Sequence, residues 1–346
     1  ETVMLLPNPP VLIAGGAGYI GGHAMLALLD SGREAVVLDN LSTGRRRGVP
    51  DGVSFYQGEI ENGDLIGQII KEHKCQEVMH FAGSIVVPES VALPLNYYEN
   101  NVVGSTKLLR ACLDNGIKRF LFSSTAAVYD GNMDVTGGTP LTEDARLAPA
   151  SPYGRSKLMT EWMLQDIAAA TNLRVAVLRY FNVAGADGEG RTGQYAKDAT
   201  HLIKRACQAA LGLLPHIDVF GDDYPTPDGT CLRDYIHVSD LAQAHLAALD
   251  YMADNQKNLT LNCGYSHGYS VTEVLNATDR IAGNMFDAAP IVRRPAPRRA
   301  GDPASLIADT RKIRSILGWQ PQFNHLDDMI ATALVWEQQL LAGYHV

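Results

Sequence analysis

The chain has 346 residues, 46% of them hydrophobic, enough for one large or two modest domains with an ample core. Its formal net charge of −9, from 29 basic and 38 acidic residues, argues against general binding to nucleic acid or to an anionic membrane surface. Cys75, Cys112, Cys207, Cys231 and Cys263 are scattered without a Cys-x-x-Cys or Cys/His cluster, so neither a disulfide framework nor a metal site is expected. Apolar runs fall short of the roughly 18 residues of a membrane span, and residues 1–10 lack the pattern of a signal peptide. A cytoplasmic protein with no membrane partner is the expectation.

Through the first half, short β-branched runs alternate with helical patterns. Strands are expected at Val11–Ala14, Ala35–Leu38, Val53–Tyr56, Val78–Phe81, Phe120–Ser123 and Val175–Tyr180. Helices are expected near 20–31, 62–74, 88–115 and 155–171. That alternation predicts an α/β fold built on a doubly wound parallel sheet of Rossmann type. After Tyr180 the texture changes: residues 182–195 and 221–231 read as loops, and helices return at 196–212, 238–253, 271–283 and 323–341. Pro295, Pro297 and Pro303 frame a further loop carrying Arg293, Arg294, Arg298 and Arg299. The expected division is a dinucleotide-binding half over 1–180, to which 238–262 returns, and a smaller C-terminal substrate-binding cap made of 181–237 and 263–346.

Glycines at 15, 18 and 21 follow the first strand and open the first helix, giving G-x-x-G-x-x-G. The spacing permits a tight turn and close backbone approach to a pyrophosphate at a helix N-terminus. Eighteen residues after Gly21, Asp39 ends the second strand; a carboxylate there accepts from ribose hydroxyls and repels a 2′-phosphate, favouring NAD over NADP. Arg45-Arg46-Arg47 reads as a solvated run, Glu59 could reach an adenine edge, and Phe81-Ala82-Gly83 leaves room for a cofactor. Ser123, Ser124 and Thr125 place hydroxyls at the carboxyl end of a parallel strand, where they are expected to face the ligand crevice. Tyr153 and Lys157 are four residues apart and share a helical face, so the ammonium is expected to lower the phenol pKa and make a usable base. Hydroxyl donor, phenol and lysine together compose a redox site working with a bound dinucleotide.

With these motifs the chain resembles the extended short-chain dehydrogenase/reductase family, and within it the UDP-sugar 4-epimerases, from about residue 10 to the C-terminus. The resemblance rests further on Asp39-Asn40-Leu41, on His80-Phe81-Ala82-Gly83, on Asn100-Asn101-Val102, on Arg179-Tyr180-Phe181-Asn182, on the run from Phe220 to Thr230 and on Arg233-Asp234-Tyr235-Ile236-His237-Val238. Gly190-Arg191-Thr192-Gly193-Gln194, with His201-Leu202-Ile203, is most similar to members serving bacterial exopolysaccharide synthesis. The resemblance implies NAD held permanently and a UDP-hexose interconverted between its gluco and galacto forms, through hydride loss at C4, rotation of the 4-keto sugar and hydride return. It implies that Tyr153 carries the O4 proton, Thr125 bonds O4 and Lys157 holds the nicotinamide ribose. It implies cofactor contacts from Gly15, Gly18, Tyr19, Ile20, Gly21, Asp39, Asn40, Leu41, Ser42, Gly44, Glu59, Ile60, Phe81, Ala82, Gly83, Asn100, Ser123, Ser124 and Tyr180. It implies substrate contacts from Tyr180, Phe181, Asn182, Leu202, Phe220, Arg233, Arg299 and Asp302, beside Thr125 and Tyr153, and a homodimer paired through helices 88–115 and 155–171.

Several positions depart from the family's pattern. Ile85 stands where a lysine is common, Val103 where asparagine is common, and Leu306 where side-chain bulk limits the sugar C2 substituent. A 4,6-dehydratase needs an acid and a base beside the hydroxyl donor, and Ala126 and Ala127 provide neither. Epimerases of N-acetylated, pentose or uronate UDP-sugars remain open, as does a non-catalytic NAD-binding regulator, although all the reactive groups are present.

Overall fold

The computed structural model describes residues 9–130, 139–196, 200–299 and 302–343. Seven parallel strands form the main sheet: β1 (Val11–Ala14), β2 (Ala35–Asp39), β3 (Ser54–Gln57), β4 (Glu77–His80), β5 (Arg119–Ser123), β6 (Arg174–Tyr180) and, much later in the chain, β10 (Leu259–Cys263). Their order is β3-β2-β1-β4-β5-β6-β10, so the winding reverses between β1 and β4. A ligand crevice opens at the carboxyl ends of the strands at such a reversal.

Alternate residues of each strand feed opposite cores, as the twofold period of a strand requires. Ile13, Val37, Met79, Leu121 and Leu178 pack with α1 (Tyr19–Asp30) and α8 (Val238–Asn255). Leu12, Leu38, Val78, Phe120 and Val177 pack with α2 (Gly63–His73), α5 (Gly104–Asp114) and α6 (Pro152–Ala170). Because both faces are covered, β1 is VLIA with every residue buried, rather than alternating apolar and polar.

The expected helix over 88–115 is instead broken into α3 (Val87–Ala92), α4 (Pro94–Tyr97), a π-helical turn (Tyr98–Val103) and α5. Pro94 cannot continue the hydrogen bonding of α3, and the wide π turn lets Asn101 reach inward. Its amide donates to Ser84 O at 3.0 Å and to Ser156 Oγ at 3.0 Å. Helix α6 starts earlier than the expected 155: Ser151 caps it through Gly154 N at 3.2 Å, and Pro152 takes a first-turn position. Tyr153 therefore sits in the first turn, at the crevice.

Beyond β6 the chain passes through Phe181 directly into β7 (Asn182–Ala184), a strand where a loop over 182–195 was expected. Strand β9 (Leu232–His237) pairs with β7, β11 (Gly268–Ser270) and β13 (Ser305–Leu306). Strand β8 (Ile217–Phe220) pairs in parallel with β12 (Arg293–Ala296), so part of the expected arginine loop is extended. Pro295 is tolerated because the pair is only two strands wide and leaves an open edge. Helices α7 (Leu202–Ala210), α9 (Val271–Phe286), α10 (Arg311–Leu317) and α11 (Leu326–Leu341) complete the second half. Residues 197–199 of the expected helix 196–212 lie outside the described residues. Among the described residues, no helix is long and apolar enough to cross a membrane.

At the amino end of the sheet, away from the crevice, Glu77 is 2% exposed and pairs with both Arg33 and Arg119. Removing that carboxylate leaves, among the described residues, Arg119 without a charge partner and Arg33 with only the exposed Asp250, so Glu77→Gln is expected to lower unfolding stability by about 3 kcal/mol. Denaturant unfolding, with substrate KM measured alongside and expected unchanged, checks it.

Candidate active site

The first turn after β1 is built for close approach. Gly15 has φ +85°, and a Cβ there would meet Ala82 N at 2.6 Å. A Cβ on Gly21 would lie 2.2 Å from Gly15 O, and one on Gly44 2.8 Å from the Ala17 backbone. Helix α1 begins directly after Gly18, so its free N–H groups face the same cradle. Tyr19 donates to Gly185 O at 2.6 Å, tying this turn to the segment after β7, and Ile20 follows it, half-buried, at the start of α1.

Asp39 is 8% exposed at the end of β2 and accepts from Ala17 N at 2.9 Å and from Leu41 N at 2.8 Å. Burial raises its pKa, and these two N–H donors counter it. Each carboxylate oxygen keeps a lone pair for a diol. Asn40 donates to Glu59 at 2.9 Å and accepts from Ser42 N at 2.9 Å, completing a polar rim with Leu41 at φ 63°. Arg45, Arg46 and Arg47 are exposed. The Ile60 side chain is 6% exposed in the core, leaving only its backbone to the crevice. The glycine cradle and the diol-accepting carboxylate fit a dinucleotide.

At the carboxyl ends of β4 to β6 the reactive groups converge. Thr125, 8% exposed, lies beside the Tyr153 phenol and accepts from Ala127 N at 3.1 Å. Tyr153 is 6% and Lys157 3% exposed. Lys157 donates to Ser123 O at 3.1 Å and lies 4.8 Å from the Phe122 ring centre. The Ser123 hydroxyl hydrogen-bonds His245 Nε2 at 3.2 Å, with Tyr180 beside it at the end of β6. Gly83 lies close to Lys157, a Cβ there falling 3.7 Å from Nζ, and Asn100 donates to Ser84 Oγ at 2.8 Å next door. Phe81 packs on His245 at 4.9 Å between ring centres, with Ala82 beside it, half-buried.

Two expectations fail here. Lys157 was expected to lower the Tyr153 pKa, but burial pushes the phenol up to about 12, with neighbouring Thr125 opposing. The ammonium is turned to the Ser123 carbonyl instead of the phenol, and burial lowers it to about 8. Ser124 was expected to face the crevice; its hydroxyl donates to Glu161 on α6 and is fully buried. Successive residues at the end of a strand point to opposite sides, so Ser123 and Ser124 cannot both face a ligand. Glu161 was missed by the sequence reading; the signal available was its place four residues past Lys157.

In the second half, Arg233 pairs with Asp302, and Leu306 sits beside Arg233 in the β13–β9 register. Arg299, exposed, stacks 3.9 Å over the Phe220 ring, a flat cationic platform. Asn182 and Leu202 are half-buried at the starts of β7 and α7. Phe181 is 5% exposed and packed with Val128, Leu158 and Ala308, so its ring belongs to the core and not to a ligand surface. His201 is held by Gln194 at 2.9 Å.

Residues 11–264 match the NAD dependent epimerase/dehydratase family. The chain is 52% identical over 333 residues to a UDP-glucose 4-epimerase of Azospirillum brasilense, covering 96% of this chain and 93% of that one. A solved UDP-glucose-4-epimerase from Stenotrophomonas maltophila, with bound NAD and formylated UDP-arabinopyranose, superposes with a TM-score of 0.91 at 37% identity, covering 97% of this chain and 100% of that chain. The UDP-Glc/GlcNAc 4-epimerase of Campylobacter jejuni superposes with a TM-score of 0.82 at 42% identity, over 96% of this chain and 100% of that chain.

Replacing Asp39 by serine is expected to weaken NAD binding by about 2 kcal/mol, some thirty-fold, and to narrow the preference over NADP. Titration of cofactor-free protein with both dinucleotides measures it.

Proposed function

Because the chain belongs to the NAD dependent epimerase/dehydratase family, we propose that it interconverts UDP-glucose and UDP-galactose by C4 epimerisation with NAD as its cofactor. The observation that carries this reading is the enclosed grouping of Thr125 beside the Tyr153 phenol, with Lys157 one turn further along α6 and held there by Ser123 O. Tyr153 exchanges the O4 proton and Thr125 holds O4 in place. When bound, oxidised NAD supplies the hydride acceptor and a positive charge. The phenol keeps its proton in the free site, at about 12, and nearby positive charge favours phenolate. Lys157, placed under the crevice by Ser123 O, holds the ribose hydroxyls. Next to Thr125 lie only Ala126 and Ala127, which offer no acid or base for a 4,6-elimination.

The dinucleotide half spans 1–180 together with 238–262, and the cap spans 181–237 and 263–346. Arg233 and Arg299 grip the diphosphate, Asp302 the uridine ribose and Phe220 the base, beside Asn182 and the Leu202 backbone. A grip confined to the nucleotide leaves the hexose free to present either face. Half-exposed Leu306 next to Arg233 leaves room at the sugar's C2, favouring N-acetylated hexoses as additional substrates. The five free, buried cysteines support a reducing, cytoplasmic setting.

The chain works as a homodimer. Val91 (64% exposed), Leu95 (70%), Val103 (47%) and Trp162 (51%) lie on α3, α4, the π turn and α6, which pack together and leave this apolar face open. A patch of this kind marks an association surface.

Purified protein incubated with UDP-galactose is expected to form UDP-glucose, followed by chromatography. Tyr153→Phe is expected to lose at least about 100-fold in turnover while keeping its NAD. A 4-keto-6-deoxy product in place of UDP-glucose would overturn the assignment. Trp162→Glu is expected to shift the mass seen in light scattering from dimer to monomer.

A further inference from the structure

Tyr153, Lys157 and Glu161 recur every four residues and share one face of α6. The proposed reaction uses the first two; Glu161 is 0% exposed and touches neither the crevice nor solvent. Its oxygens are fully engaged. Oε1 accepts from Ser124 Oγ and from Arg179 Nε at 3.1 Å, and Oε2 accepts from Arg179 at 2.6 Å and 3.2 Å. Arg179 is itself anchored, donating to Tyr129 Oη at 3.2 Å and to Glu143 O at 3.0 Å.

We infer that Glu161 is a positioning residue for the proton-transfer pair, acting through Ser124 on the strand end and through its charge on Lys157. The inference rests on Tyr153 and Lys157 as the working pair. Ser124 lies between the two residues that meet that pair: Ser123 gives its carbonyl to Lys157, and Thr125 stands beside the Tyr153 phenol. Pinning the Ser124 side chain to Glu161 sets both contacts at once. A buried ion pair rarely adds net stability over apolar residues of similar volume, so its placement here serves something else.

Around Lys157 stand Tyr153 and Glu161 on α6, Phe122 and the Ser123 carbonyl on β5, His80 on β4, and Gly83 with Asn101 beside the π turn; on β6, Tyr180 lies beside Tyr153 and Arg179 beyond Glu161. Burial holds His80 neutral, at about 3. Glu161 raises the Lys157 pKa against burial, which lowers it. Lys157 sheds its proton as pH rises through about 8, so the carboxylate keeps the ammonium charged at neutral pH.

Glu161→Gln tests this. The alkaline limb of kcat is expected to fall by about one pH unit, with kcat down roughly twofold at pH 7 and roughly tenfold at pH 9, and KM changed less than about threefold. Glu161→Asp is expected to restore part of the shift. Should Glu161→Gln fold poorly, the double variant Glu161→Met/Arg179→Met replaces the pair by apolar volume and is expected to show the same lowered limb. A second readout needs no substrate: the Lys157 midpoint in free protein, followed by NMR of 13Cε-labelled lysine and assigned with Lys157→Arg. It is expected to drop by about one unit in both variants. A folded variant with an unmoved midpoint and the wild-type pH profile overturns the proposal. Wild-type protein inactive on UDP-galactose, with the midpoint shift still present in the variants, overturns the substrate assignment and not this one.

Discussion

The end of β5 is the constraint on which the site depends. Three successive residues there take three incompatible directions: the Ser123 carbonyl to Lys157, the Ser124 side chain to Glu161 and the Thr125 side chain to the neighbourhood of Tyr153. All three partners lie on α6, so one strand end and one helix face are fastened together at three points. Such multiple fastening holds a side chain within the few tenths of an ångström that proton transfer demands. It also explains why α6 must begin at Pro152, since a start at residue 155 would leave Tyr153 outside the helix.

The two ends of the parallel sheet are built to different purposes. At the amino ends, charges compensate one another, as in Glu77 between Arg33 and Arg119. At the carboxyl ends, polar groups are left with unspent capacity: Asp39 keeps free lone pairs, and buried Lys157 donates to Ser123 O with two further N–H groups available. The reversal between β1 and β4 collects these groups in one crevice, because loops after neighbouring strands splay apart there.

The six expected strands of the first half lie within about a residue of where they form, because buried parallel strands are continuous β-branched or apolar runs with little competing pattern. The second half was less legible. Strands β7, β8, β12 and β13 are two to four residues long and gain their order from partners distant in sequence, which periodicity cannot reveal. The broken helix over 87–114 had a local signal in Pro94, but the π turn that directs Asn101 inward had none. At the site, residue types and spacing indicated Tyr153, Lys157, Thr125 and Asp39, whereas the directions of side chains were not in the pattern. Ser124 and Phe181 carry suitable chemistry at suitable positions, yet both point into the protein.

Enclosure sets the reactivity of the free site. Burial holds Tyr153 at about 12 and lowers Lys157 to about 8, both shifts favouring the neutral form. A solvent-exposed pair would be tuned mainly by water and salt, whereas an enclosed pair responds to each fixed charge brought near it. The same burial that disfavours phenolate therefore makes the phenol sensitive to a cationic ligand, and the lysine sensitive to Glu161 below it. A hydroxyl held neutral until a cationic partner arrives cannot act as a base on water or on a chance alcohol. Reactivity is thereby confined to the assembled complex, and the fully buried Ser124–Glu161–Arg179 contacts keep that arrangement ready without themselves meeting solvent.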